Sequence, residues 1–137
     1  MNLLVAGSRD FQPVWENGTL KSGWTQAQMS NTLSAALEAL RESVSVVVHG
    51  AARGVDQMAG EWAIELGLAV DAHPADWNNL GKRAGYVRNA EMVKIADCAI
   101  FVWDGKSKGT RHSIRLVHDK GIPYVVVIKN PLESSLF

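Results

Sequence analysis

The chain switches repeatedly between two hydrophobic patterns. Short unbroken apolar runs rich in β-branched residues alternate with longer stretches whose apolar residues recur at helical spacing. The first run, residues 2–6, reads as a strand. Residues 8–30 form a long polar connection containing Gly and Trp, and Asn17-Gly18 within it is a good turn pair for a short hairpin. Connections of that length are unusual in a compact domain and are often functional. A helix is expected from Ser30 or Asn31, both good caps, with Leu33, Ala36, Leu37 and Leu40 on one face.

The alternation continues to the end of the chain. Residues 43–48 predict a strand and residues 55–66 a helix, closed by Gly67 just past its end. Residues 68–73 predict a third strand, which Pro74 ends because it lacks the ladder donor. Residues 75–81 read as a loop, and residues 83–95 as a helix burying Ala84, Val87, Met92 and Ile95. Cys98–Trp103 predicts the fourth strand, residues 110–120 a helix capped by Gly121, and Tyr124–Ile128 the fifth strand. The tail, residues 129–137, is expected to be loosely ordered.

Strands and helices in strict alternation predict an α/β fold. The expected form is a mostly parallel five-stranded sheet with helices on both faces, in one domain over residues 1–137. The second and fifth strands have the continuous β-branched character of strands covered on both faces.

The candidate chemistry sits at the strand ends. The first strand runs into Gly7-Ser8-Arg9-Asp10. The second runs into His49-Gly50-Ala51-Ala52-Arg53-Gly54-Val55-Asp56, and the fourth into Asp104-Gly105-Lys106-Ser107-Lys108-Gly109-Thr110. Glycines allow close backbone approach, helix N-termini offer free N–H donors, and arginine grips phosphate with two parallel bonds. In an open parallel sheet, ligands bind outside the carboxyl ends of the strands. Cationic Gly turns at these ends therefore point to a phosphate-bearing small molecule.

Individual residues carry alternatives. Ser8 and Arg9 suit a phosphate, or an ordinary surface turn with Asp10. His49 can donate to a ligand oxygen or act as acid or base; it can equally pack and bond to neighbouring backbone. Asp56 suits a supporting role, fixing Arg53 or capping the helix. Trp77 can stack on a base or pack under a loop. Arg83, Tyr86, Arg88 and Asn89 open the third helix, and a buried Arg88 requires an anionic partner, either Asp104 or a ligand. Lys108, beside Gly109 and Thr110, is a phosphate candidate, whereas Lys82 and Lys106 read as solvated.

Composition narrows the field. Fourteen basic and fourteen acidic side chains cancel, which argues against a nucleic-acid or membrane binder that works by bulk charge. The one cysteine, Cys98, lies in an apolar run and reads as a buried strand residue. No Cys/His spacing suggests a metal, no catalytic triad or Walker loop is legible, and no signal peptide or membrane span is visible. The expectation is a cytoplasmic protein that requires no cofactor.

Together these blocks resemble the SLOG superfamily, the Rossmann-like nucleotide-binding group that joins DNA-processing (Smf-type) and Lonely Guy proteins. The likeness is greatest to its small bacterial and phage branch, the YspA-like proteins. It rests on Gly7 to Phe11, His49 to Asp56, Lys82-Arg83-Ala84-Gly85 with Arg88-Asn89, and Trp103 to Thr110. The resemblance implies an α/β Rossmann-like three-layer sandwich and a nucleotide-type ligand at the strand ends. ADP-ribose-like molecules and other NAD derivatives are the expected class, bound by a sensor or ligand-binding protein in a bacterium or phage-infected cell. Lonely Guy enzymes cleave nucleoside monophosphates with a Gly-Thr-x-x-Glu motif. Here Gly109-Thr110-Arg111-His112-Ser113 puts Ser113 in place of that Glu, which counts against the hydrolase reading. A phosphoribohydrolase, with Glu61, Asp56, Asp104 or Glu91 as its carboxylate, is the enzymatic alternative. Single-stranded DNA binding, as in the DNA-processing proteins, is the other. The resemblance also implies self-association, and Trp15 and Trp24 in the long connection are candidate contacts for a homodimer or higher oligomer.

Overall fold

The computed structural model describes residues 1–9, 14–17, 19–22 and 26–128. Asp10, Gly18, Trp24 and the tail therefore lie outside the described residues. In chain order the elements are β1 (Asn2–Gly7), β2 (Val14–Glu16), β3 (Thr19–Ser22), α1 (Gln26–Glu38), β4 (Val46–His49), α2 (Val55–Glu65), β5 (Ala69–Ala72), α3 (Trp77–Leu80), a 3-10 turn (Gly81–Arg83), α4 (Ala84–Ile95), β6 (Cys98–Trp103), α5 (Lys108–Lys120) and β7 (Tyr124–Ile128).

Five strands form one all-parallel sheet in the order β5-β4-β1-β6-β7. The chain builds outward from β1 in one direction, then crosses back to build in the other. This is the doubly wound Rossmann-like arrangement, with its switch point between β1 and β6. Alternation along the strands sorts the core. Leu3 and Val5 of β1, with Cys98, Ile100 and Val102 of β6, face Leu33 and Leu37 of α1 and Val55, Ala59 and Ala63 of α2. Leu4, Ala6, Ala99 and Phe101 face Met92 and Val93 of α4 and Val117 of α5 on the opposite side. Helices thus cover both faces, as a parallel sheet requires. Among the described residues, no helix is long and apolar enough to cross a membrane.

The hairpin expected in the long connection is present as the antiparallel pair β2–β3. Asn17 at its turn has φ 51°, the left-handed conformation that Asn tolerates better than most residues. Several expectations are corrected. Helix α1 begins at Gln26, upstream of Ser30 and Asn31, because Ala27, Gln28 and Met29 are themselves good helix formers. Residues 75–81 are not all loop: Asp76 caps the short helix α3, its Oδ1 accepting from Asn79 N at 3.3 Å. Helix α5 starts at Lys108, not Thr110. Val87 and Ile95 of α4 are each 37% exposed, because the helix buries a stripe through Ala84, Asn89, Met92 and Val93 instead. Strand β7 is a sheet edge, with Val125 exposed despite its apolar neighbours.

Candidate functional site

The carboxyl ends of β1 and β6 are drawn together by a small polar knot. Ser8 N donates to the Val102 carbonyl at 3.0 Å, Asp104 N donates to Ser8 Oγ at 3.1 Å, and Ser8 Oγ lies 3.1 Å from Ser107 Oγ. Gly7 is required here. A Cβ on it would collide with the Val102 carbonyl and stand 2.7 Å from Val55 Cγ2. Gly54, at φ 81°, likewise brings α2 against the backbone of Arg9 and Ser8, where a Cβ would overlap Arg9 O.

Asp104 spends itself on its own loop. It accepts from Lys106 N and Ser107 N, both at 2.8 Å, and from Ser107 Oγ at 3.1 Å. Burial raises its pKa, but the hydrogen bonds from Ser107, Lys106 and Ser8 outweigh burial and hold the carboxyl below its usual range.

The turn after β4 is also closed on itself. Gly50 N and Ala52 N donate to Asp56 Oδ2 at 3.0 and 3.4 Å, and Ala51 N donates to His49 Nδ1 at 3.0 Å. Ala51 takes φ 57° within this turn, which a non-glycine residue rarely adopts. These backbone donors are occupied, so anion recognition here falls to side chains. His49 is buried, with Nε2 toward Gly60 of α2. Burial lowers its pKa, His73 lowers it further and Asp71 opposes, so a neutral ring accepting at Nδ1 fits. Its contacts to Ala51 N and toward Gly60 are those of the packing alternative. Asp56 is buried too, and burial pushes its pKa up to about 6 against the Ala52 and Gly50 N–H groups and the charges of Arg88 and Arg9.

Arg88 finds a partner other than Asp104. Its Nη1 donates to the Gly50 carbonyl and, at 3.4 Å, to the His73 carbonyl, bridging the ends of β4 and β5. Its Nε donates to Asn89 Oδ1 at 2.9 Å, and Asn89 Nδ2 donates to the Gly109 carbonyl of α5 at 3.2 Å. Burial lowers the Arg88 pKa, the Asp56 charge raises it and Arg9 lowers it; a guanidinium still stays charged.

Around these anchors lies a cavity of about 520 Å³ at the switch point. Ten of the sequence-predicted site residues line it: Gly7, Ser8 and Arg9 from the β1 end; Arg53 and Asp56 from the α2 start; Trp77; Arg88 and Asn89; and Gly109 and Thr110. Gly50 and Ala51 line a smaller adjoining cavity. His49, Gly54, Arg83, Asp104, Gly105 and Lys108 line neither; Gly54 and Asp104 shape the turns that do. The wall also holds residues that the sequence did not assign to the ligand, including Gly85, Tyr86, Met92, Ser107 and Ser113, and Lys82, which it read as solvated. Gly85, Asn89 and Met92 follow helical spacing, so the face of α4 turned to the crevice was recoverable from the sequence.

Charge is concentrated in this cavity although the chain as a whole is neutral. Arg9, Arg53, Lys82 and Arg88 line it, against the single carboxylate of Asp56 among its described residues. Trp77, about half exposed, sits at the mouth with the Arg9 guanidinium 5.9 Å from its ring centroid and its edge beside Gly85. Tyr86 packs edge-on against His112 with centroids 4.7 Å apart. No group of His, Cys, Asp and Glu among the described residues is arranged to hold a metal ion.

Residues 1–79 match the model of the YspA, cpYpsA-related SLOG family. The chain is also similar to the Gene 61 protein of Mycobacterium phage D29, at 43% identity over 86 residues that span 58% of this chain and 69% of the phage protein. The family-matched segment contains β1, β4, β5 and, with Ser8, Arg9, Arg53, Asp56 and Trp77, one wall of the cavity. On this match and on a parallel sheet wound from its central strand, the chain belongs to the YspA-related SLOG family, a membership that ties it in general terms to nucleotide-related binding.

Proposed function

We propose that the chain binds a nucleotide-derived ligand of the ADP-ribose or NAD-like class in the switch-point cavity, acting as a sensor or ligand-binding protein. The observation that carries this reading is the local charge: among the described residues, four cationic side chains against one buried carboxylate, in a cavity whose mouth is aromatic. Phosphate takes the arginines, the hydroxyls of Ser8, Ser107, Thr110 and Ser113 suit a sugar, and Trp77 offers a stacking face for a base. The cavity volume, about 520 Å³, falls within the range of about 300–1,000 Å³ usual for small-molecule sites. Titration calorimetry against nucleotides, ADP-ribose and NAD derivatives tests the proposal. Binding of none of them at concentrations up to about 1 mM overturns it.

One observation favours an enzymatic second reading. Asp56, with its pKa near 6, lies in the range of a working acid or base. Its Oδ2 is already held by Gly50 and Ala52 N–H, which favours the binding role. Release of free base from AMP or NAD, lost in Asp56→Asn, would establish turnover. Glu61 and Glu91 are exposed and off the cavity wall, so neither replaces it.

A further inference from the structure

Among the described residues, Asp56 is the single carboxylate on the wall of the larger cavity. Arg9 faces it from the β1 end and Arg88 from α4, and both charges act on it. The space that a Cβ on Gly50 would fill is bordered by Arg88 Nη1 on one side and by Asp56 Oδ2, 3.0 Å away, on the other. Arg53 stands on the same turn as Asp56 and lines the same cavity. Two histidines are close in the fold but off that wall. His49 ends β4 with its Nε2 toward Gly60, and His112 of α5 has its Nδ1 3.4 Å from Asn89 Nδ2. An anion that enters the cavity therefore shares its guanidinium charges with one buried carboxyl group.

An ionised Asp56 competes with a phosphate for those charges and repels it; a neutral Asp56 does neither. Both hydrogen bonds that Asp56 makes among the described residues, from Gly50 N and Ala52 N, fall on Oδ2. A proton on Oδ1 thus leaves the turn after β4 intact, and it turns an acceptor into a donor. We infer that Asp56 is a proton-linked switch on this cavity: an anionic ligand binds with uptake of a proton from solvent onto Asp56 Oδ1, and the carboxylate form of the protein binds it more weakly. The inference rests on the nucleotide reading of the cavity and adds the regulation of that site by pH. Burial has already pushed the Asp56 pKa up to about 6, so the switch works close to neutrality. Linkage fixes the sign. The charge of the ligand raises that pKa further, so affinity is greatest below about pH 6. It falls as pH rises, and levels off above the higher pKa of the ligand-bound state.

ADP-ribose and NAD are the probes, because each of their phosphorus atoms carries one ionisable oxygen. The phosphate of AMP would itself titrate at about pH 6 and obscure the result. Calorimetry on the full chain, in buffers of different ionisation enthalpy, counts the protons taken up on binding. The wild type is expected to take up a fraction of one proton at about pH 7, and to bind about tenfold more weakly at about pH 8 than at about pH 5. Asp56→Asn should take up none, and its affinity should stay within about twofold over that range. A difference infrared spectrum of the wild type should show a protonated carboxyl group appearing on binding, a signal that no histidine gives. Binding without proton uptake overturns the inference and leaves the nucleotide reading standing. So does uptake that persists in Asp56→Asn, which would assign the proton to His49 or His112. Failure of both probes to bind at any of these pH values overturns the ligand reading and this inference with it. If Asp56→Asn does not fold, the wild-type infrared spectrum decides, and absence of the carboxyl signal overturns the inference.

Discussion

Gly50 N donates to Asp56 Oδ2 at 3.0 Å, so a carboxylate in the first turn of α2 fastens the end of the strand that leads into that helix. The bond makes the Gly-rich turn rigid, and it confines a charge in a buried place. The folded-state pKa of about 6 against an ordinary value of 3.8 means that the folded chain holds this proton over a range where the unfolded chain has lost it. The contribution of Asp56 to stability therefore falls as pH rises through that window, by roughly 3 kcal/mol at the limit. Asp56→Asn keeps a carbonyl acceptor for Gly50 and removes the titration. In urea unfolding, the stability of the variant relative to wild type should rise between about pH 4 and about pH 7.5. Parallel curves would reject the argument.

Gly7 has no room for a side chain, and Gly109 does. A Cβ at Gly7 would strike the Val102 carbonyl and Val55, whereas a Cβ at Gly109 meets nothing within 4 Å. Gly7→Ala is expected to cost about 1–3 kcal/mol through overpacking. Gly109→Ala, in the first turn of α5, should be neutral or stabilise by at most about 1 kcal/mol. Denaturant midpoints with unchanged m-values measure both.

Trp77 is 49% exposed and packs its edge over Gly85, so its truncation should scarcely alter thermal stability. Ligand affinity is the expected casualty. Loss of a stacking face corresponds to about 1–3 kcal/mol in Trp77→Ala, with partial recovery in Trp77→Phe. Calorimetry beside a melting curve separates the two effects, and an affinity unchanged in the alanine variant removes Trp77 from the site.

Self-association is proposed from Trp15 and Trp24 in the long connection. It is also supported by exposed Ile64, Leu66 and Val70 at the end of α2 and the β5 edge. Light scattering should give at least twice the single-chain mass of 14.9 kDa, and Trp24→Ala should weaken assembly or ligand binding with the sheet intact. A mass near 14.9 kDa at working concentration rules the oligomer out.

Oligonucleotide affinity should be low. Four of the fourteen basic side chains line the cavity, and the chain as a whole has no net positive charge to draw in a phosphate backbone. Fluorescence polarisation at low salt checks this, and tight, salt-sensitive binding would reverse the conclusion.

The fold was legible because its strands are apolar runs with unambiguous breakers. Gly67 and Gly121, both left-handed at helix ends, stand where the sequence places them. Burial was less legible. Residues 124–128 are apolar enough for a central strand, yet topology puts them at an edge, and no periodicity within five residues records which neighbour is missing. Within the site, residue type pointed to the right turns but not to which atoms remain available for a ligand. Asp104 and Asp56 look alike in sequence; one binds its own loop and the other an adjacent turn, because only Asp56 begins a helix packed against the sheet. Lys82, Tyr86 and Ser113 were not placed in the site because attention to strand ends passes over helix faces, and the far wall of the cavity is built from such faces.

The pairing of Leu3 with Cys98 places the central ladder between segments almost a whole domain apart in the chain. During synthesis, β1 can pair with β4, and β4 with β5, early, but the other edge of β1 stays open until β6 has left the ribosome. The cavity lacks a wall until Ser113 has followed. An open apolar edge is a template for pairing with other chains. A stalled or prematurely ended product would thus carry half a binding site and one adhesive strand, and protection from aggregation would arrive at the same moment as the capacity to bind.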